Sequence, residues 1–228
     1  MSFNIAIDGP AGAGKSTIAK QLAKKTSFIY VDTGAMYRAM AYYFLTHRID
    51  ASDEAALRQA CENIKIELAY ENGVQKVLLN GTDISGEIRK EEVGNMASAT
   101  SGYSFVRQKL LSLQQEIAAK NNVIMDGRDI GTCVLPNAQL KVYLTASVHT
   151  RALRRYNELQ EKGVTCDLAS IEADIEKRDY QDMHREIAPL KAAEDAKMLD
   201  SSEMNIEEVV SAIYDMAVQA GLTGVCEV

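Results

Sequence analysis

Cysteine is scarce and scattered. Cys61, Cys133, Cys166 and Cys226 form no CxxC pair, which argues against a disulfide framework or a thiolate metal site and predicts inert free thiols in a reducing cytosol. The three histidines, His47, His149 and His184, have no metal-ligand spacing with one another or with the cysteines, so no structural zinc is expected. No apolar stretch approaches the ~18–20 residues that span a bilayer. The opening "MSFNIAIDGP" lacks a basic region, and Asp8 interrupts its apolar run, unlike a signal peptide. Positive charge is also short. Lys and Arg number 25 against 32 Asp and Glu, a net charge of −7, which excludes a whole-surface attraction to nucleic acid or anionic membrane. A cytoplasmic protein is expected, with neither nucleic acid nor membrane as partner. Any anionic ligand must be caught by local clusters of arginine.

The 228 residues, 46% hydrophobic and 25% charged, suit one α/β domain with inserts. There is no internal repeat, low-complexity tract or long linker. "FNIAID" reads as a buried strand leading through a Gly-rich turn into a helix from about Lys15 to Lys25. "FIYVD" is a second strand, followed by a helix to about His47, and Ser52 and Asp53 can cap the next. Such alternation predicts a parallel, helix-covered sheet. The pattern then changes. Ile64, Ile66 and Leu68 alternate with polar residues, and Asn72-Gly73 and Asn80-Gly81 are hairpin signals, so three short antiparallel strands are inserted here. From Glu91 to Lys120 two helices are expected, broken near Gly102. "NVIMD" and "LKVYLTA" are further buried strands. Helices are expected over about Val148–Lys162, Leu168–Ile187 and Ile206–Ala220, with "AKMLDSS" a last short strand.

Gly9, Pro10, Ala11, Gly12, Ala13, Gly14, Lys15 and Ser16 fit GxxxxGK[ST] in full, with a strand before and a helix after. The glycines let backbone N–H groups turn inward on phosphate oxygens, and the helix N-terminus adds its positive dipole end. Lys15 would reach the β- and γ-phosphates and Ser16 would place its hydroxyl on Mg²⁺. Thr17 completes the ATP-binding stretch. Asn-Lys-x-Asp is absent, which weakens a GTPase reading. Asp126 in "VIMDGRD" is followed by Gly and Arg rather than a second acid, unlike motor and helicase ATPases.

The arginines cluster. Arg128 and Asp129 follow the strand "NVIMD", at the carboxyl end of the sheet where open α/β folds bind ligands. "VDTGAMYR" also follows a strand, so Asp32, Thr33 and Arg38 are expected to open on the same crevice. Arg178, Asp182 and Arg185 stand at i, i+4 and i+7, one face of one helix. Arg151, Arg154 and Arg155 stand at i, i+3 and i+4 of another. Either group alone could be a solvated charged stripe.

"IDGPAGAGKST", "VDTGAMYR", "GTDISGEIR", "MDGRDIGT", "RALRRYNELQEKG", "EKRDYQDMHREIAPL" and "DSSEMNIEEVV" occur in the order and spacing of bacterial-type cytidylate kinases. The chain resembles that family from Ile5 to about Tyr214. The resemblance implies a P-loop NTPase fold with a core of residues 1–62, 104–147 and 163–228, a monophosphate-binding insert at 63–103 and a helical lid at 148–162. It implies transfer of the γ-phosphoryl group of MgATP to CMP or dCMP. Nothing in the sequence demands a partner chain, and a monomer is expected. Arg38, Arg128 and Arg178 resemble the arginines that grip the acceptor's 5′-phosphate. Ser98, Arg178 and Asp182 resemble the ribose-binding set. Thr33, Arg107, Asp129 and Arg185 resemble the residues that read cytosine. Thr33 stands where serine is common and keeps the hydroxyl. As catalytic residues, Lys15 and Arg128 would neutralise the transferred group, and the lid arginines Arg151, Arg154 and Arg155 would close over the phosphates and exclude water. Beyond Ser16, the carboxylate behind the metal is left open between Asp32 and Asp126.

Overall fold

The computed structural model describes residues 2–71 and 74–223. In chain order the elements begin with β1 (Asn4–Asp8), α1 (Lys15–Thr26) and β2 (Ile29–Asp32). Next come α2 (Thr33–Thr46), α3 (Glu54–Glu62), β3 (Ile66–Glu71), β4 (Val74–Leu79), β5 (Thr82–Asp83), α4 (Glu91–Thr100) and α5 (Ser104–Lys120). The chain finishes with β6 (Val123–Gly127), β7 (Leu140–Thr145), α6 (Val148–Glu161), α7 (Leu168–His184), β8 (Lys197–Asp200) and α8 (Ile206–Gln219). Two compact units result, Met1–Tyr30 with Asn121–Val228, and Val31–Lys120.

The first unit is built on a five-stranded sheet of order β2-β6-β1-β7-β8, parallel in each pairing from β6 to β8. β1 and β6 are apolar almost throughout because both faces are covered, as parallel strands require. Ile5, Ile7, Ile124, Val142 and Leu144 are buried with Leu22 of α1 and Ile213 of α8. Asn205 and Glu208 form a reciprocal capping box at the start of α8. Asp8 stands beside Gly127 and Tyr143, and Thr145 beside Asp200. The turns leaving β1, β6, β7 and β8 therefore emerge at one edge, the carboxyl end of the sheet.

In the second unit Met36, Met40, Phe44, Leu57, Ile64, Val77 and Leu110 are buried. Asp32 caps α2 by accepting from Ala35 N at 2.8 Å, and Asp53 caps α3 by accepting from Ala56 N at 3.0 Å. The antiparallel sheet β3-β4-β5 matches the expected insert. Leu79 pairs with Thr82 across Asn80 and Gly81, both at positive φ, 49° and 83°. That is the two-residue turn which asparagine-glycine favours. The other expected turn, Asn72-Gly73, lies outside the described residues.

One expectation is corrected. α7 ends at His184 rather than near Ile187, and Arg185 is extended at φ −67°, ψ 142°. Pro189 cannot donate to a helical ladder and disfavours helical backbone in the residue before it. Ala188, directly before Pro189, adopts φ 50°, the left-handed region rather than the extended one that a following proline favours. Arg185 thus lies beyond the helix that carries Arg178 and Asp182. Cys61 is buried, Cys166 half-buried and Cys133 exposed, all as free thiols; Cys226 lies outside the described residues. Among the described residues no helix is long and apolar enough to cross a membrane.

Candidate functional site: a phosphate-binding loop beside an arginine–aspartate chain

β1 ends at Asp8 and the backbone reverses at once. Gly9 has φ +148°, and a Cβ there would stand 1.9 Å from Leu144 O on β7, so only glycine fits. Gly14, at φ 84° in the left-handed region, precedes α1, and no side chain caps its amides. A helix start left bare in this way presents N–H groups and a positive dipole end to an anion. Lys15 is buried, and its Nζ donates to Pro10 O at 2.7 Å. Burial, and next the neighbouring Arg128 guanidinium, pull the Lys15 ammonium down to about 7, with Asp126, Asp8 and Asp182 acting the other way. Two cations from different turns are thus held close enough to repel, which makes the spot favourable for a polyanion.

Ser16 Oγ donates to Asp126 Oδ2 at 2.8 Å, and Tyr30 OH donates to Asp126 Oδ1 at 2.9 Å. A hydroxyl against a carboxylate is a hard-oxygen pair of the kind Mg²⁺ takes. Among the described residues no group of three or more His, Cys, Asp or Glu is arranged to hold a metal. Asp32 is occupied elsewhere, capping α2 and accepting from Arg38 NH2 at 3.1 Å.

The turn after β6 brings Arg128 and Asp129 against α7 and the residues that follow it. Arg128 Nε donates to Asp182 Oδ2 at 2.7 Å, Arg185 NH1 stands 3.9 Å from Asp182 Oδ1, and Arg185 NH2 stands 3.4 Å from Asp129 Oδ1. The four groups form an alternating chain Arg128–Asp182–Arg185–Asp129, from 28% exposed at Arg128 to 7% at Asp129. Arg178 is exposed on the same helix. In the second unit Thr33 is buried at the first position of α2 and Ser98 is half-buried on α4. Arg107 donates to Ser101 O at 3.2 Å and lies 5.5 Å from the Tyr37 ring centroid, so Tyr37 packs against a guanidinium.

The three arginines of α6 do not act alike. Arg151 is buried; Nε donates to Ala146 O, NH1 to Ala11 O of the phosphate loop and NH2 to Asp179 Oδ2, at 2.9, 2.8 and 2.6 Å. Arg154 donates to Ser201 O at 2.7 Å, and its NH1 lies 4.0 Å from where a Cβ of Gly14 would stand. Arg155 pairs with Glu158 on the surface. Sequence reasoning passed over Asp8, Asp179 and Ser201. Asp8 had a legible signal, since it is an acid ending an otherwise apolar strand immediately before the glycine turn.

A cytidylate kinase family model matches residues 5–219. A cytidylate kinase of Lactobacillus johnsonii is 50% identical over 214 residues, covering 94% of this chain and 93% of that protein. One from Enterococcus faecalis is 47% identical over 219 residues, 96% of this chain and 97% of that one. Among solved structures, an uncharacterized protein from Eubacterium ventriosum superposes with a TM-score of 0.55 at 10% identity, covering 95% of this chain and 99% of that one. That last likeness concerns the fold alone.

Proposed function

The chain belongs to the cytidylate kinase family, and from that premise we propose that it transfers the γ-phosphoryl group of ATP to CMP or dCMP, giving ADP and CDP or dCDP. The observation that carries this reading is the helix start at Gly14, which no side chain caps, with Lys15 buried directly after it and Arg128 held by Asp182 at the same edge of the sheet. The acceptor attacks through a phosphate oxygen that is already ionised, so no general base is needed. Catalysis then reduces to alignment and charge neutralisation.

On the donor side the amides of residues 9–17 and Lys15 hold the triphosphate. Mg²⁺, when bound, supplies additional charge neutralisation; Ser16 would hold it through its hydroxyl, with Asp126 rather than Asp32 behind it. Acceptor residues occur in both units. In the first, Arg128 and Arg178 take the phosphate, Asp182 and Arg178 the ribose, and Asp129 and Arg185 the base. In the second, Arg38 takes the phosphate, Ser98 the ribose, and Thr33 and Arg107 the base. Guanidinium forks suit a dianionic phosphate because paired donors lie in one plane. Asp129 accepts from the cytosine 4-amino group, and the uracil carbonyl there would leave two acceptors opposed, a mismatch of ~1–3 kcal/mol. Residues 63–103 act as the monophosphate-binding insert and residues 148–162 as the lid. Arg154 and Arg155 serve the phosphates from the lid, while Arg151 acts through the backbone of the phosphate loop.

All these residues belong to one chain, and a cytoplasmic monomer is the working form proposed; sedimentation equilibrium tests it. The central assay couples ADP release across CMP, dCMP, UMP, AMP and shikimate. Turnover with cytidine monophosphates well above the rest is expected. Equal turnover with UMP or AMP, or turnover with shikimate alone, overturns the assignment.

A further inference from the structure

Asp8 is the last residue of β1 and is 4% exposed. Its Oδ1 accepts from Ile130 N and its Oδ2 from Gly131 N, each at 2.7 Å. Those two amides open the five-residue π-helical turn Ile130–Val134 that follows Arg128 and Asp129. Across the sheet Asp8 is also the register partner of Gly127, the last residue of β6. The backbone is therefore fixed at Gly127 by the strand ladder and again at Ile130–Gly131 by one carboxylate. The two residues left between the anchors are Arg128 and Asp129.

The approach leaves little room for a side chain at position 131. A Cβ on Gly131 would stand 3.3 Å from Asp8 Oδ2 and 3.1 Å from Lys141 Cδ. Two acceptors on one rigid plane fix the direction of an amide pair as well as its distance. Burial pushes the Asp8 carboxyl up to about 6, with the amides of Gly131 and Ile130 acting in the opposite direction. The arrangement is thus kept in spite of an unfavourable location for a charge.

We propose that Asp8 is a positioning residue for the acceptor site, its carboxylate setting the pose of Arg128 and Asp129 from the first residue ahead of the phosphate-donor loop. The inference rests on the reading that these two residues meet the acceptor nucleotide. It adds that the acceptor-binding turn is braced from the strand end that leads into the donor loop.

The test compares wild type with Asp8→Asn, Arg128→Ala and Asp129→Ala, measuring KM for CMP, the ratio of kcat/KM for CMP to that for UMP, and the calorimetric Kd for ATP. Asparagine keeps the size but turns an N–H₂ toward one of the two amides, so that bond is lost and the turn rotates. Displacements on this scale cost about tenfold to hundredfold in alignment-dependent steps. Asp8→Asn is expected to raise KM for CMP and lower the CMP-to-UMP ratio by about that factor, with Kd for ATP within about threefold of wild type. If Arg128→Ala and Asp129→Ala change acceptor kinetics and Asp8→Asn does not, the proposal fails while the acceptor reading stands. If neither alanine variant changes acceptor kinetics, the acceptor reading fails and takes the proposal with it. An Asp8→Asn protein that merely contains less folded enzyme keeps both KM and the ratio, and that result also overturns it. Gly131→Ala disturbs the same contact from the opposite side and covers the case in which Asp8→Asn does not fold. It should give the same acceptor-selective signature, and an equal loss of ATP affinity in it refutes the proposal.

Discussion

Replacing Arg151 by methionine removes one guanidinium and keeps most of the side-chain bulk. In the folded protein that group is 4% exposed and, among the described residues, is the sole hydrogen-bond donor to Asp179 Oδ2, while Asp179 Oδ1 has no partner among them. The carboxylate, itself 11% exposed, thus depends on Arg151 for its compensation. Removing one member of a buried pair leaves an unpaired charge and costs about 3–5 kcal/mol. The carbonyls of Ala11 and Ala146 also lose a donor, so the upper part of that range is expected. Asp179→Leu should be damaging for the mirror reason. The double variant leaves no buried charge and should recover about 1–3 kcal/mol relative to the sum of the two. Urea unfolding followed by far-UV circular dichroism measures this, since the chain has no tryptophan for fluorescence. A loss below about 1 kcal/mol for Arg151→Met, or strict additivity in the double variant, would mean that water already compensates Asp179, and the reasoning fails.

Arg128→Ala should lower kcat by about two to three orders of magnitude with an unchanged circular dichroism spectrum; unaltered turnover removes it from the site. Asp182→Ala removes a proposed ribose contact and frees Arg128 Nε, so KM for CMP should rise about tenfold or more; an unchanged value counts against that role. Gly9→Ala drives a Cβ into Leu144 O and should abolish ATP binding in calorimetry or prevent folding, and retention of near-normal affinity contradicts the close approach. Asp8 gives a pH signature. Its carboxyl is raised from 3.8 to about 6 in the folded state, so its stabilising contribution is full below about 3.8 and disappears as pH rises through about 6. Wild type should therefore lose stability relative to Asp8→Asn between about pH 4 and 7, by at most roughly 3 kcal/mol. A pH-independent gap between the two urea midpoints refutes that account.

The phosphate loop was legible because its requirements are local. A strand, a glycine turn and a helix start occupy consecutive residues, although the clash with Leu144 O that also demands glycine at position 9 comes from a distant strand. The three-stranded insert was legible for the same reason, through alternation and Asn80-Gly81. The alternating chain Arg128–Asp182–Arg185–Asp129 was legible only as a set of residue types. Its pairings join positions 54 and 56 apart and depend on how α7 lies against the sheet edge. Arg185 was placed on a helix because its spacing from Arg178 fits one, and the effect of Pro189 outweighed that periodicity. Arg151 looked like Arg155, since a basic side chain carries no mark of whether it will be buried on Asp179 or exposed beside Glu158. Asp8 could be noticed as an acid ending an apolar strand, but what it holds could not. Its partners lie 122 and 123 residues away and are main-chain amides, which no pattern of side chains reveals.

The helix α6 is anchored unevenly along its length. Ser147 N is held by Ser202 Oγ, Arg151 is sunk into the protein and Arg154 is tied to Ser201, whereas Arg155 and Lys162 both pair with Glu158 along the helix. The side-chain ties to the phosphate loop and to the ends of β7 and β8 thus all lie in the first half of the helix. A substitution at Arg155 or Glu158 therefore leaves the grip of Arg151 on the loop backbone in place.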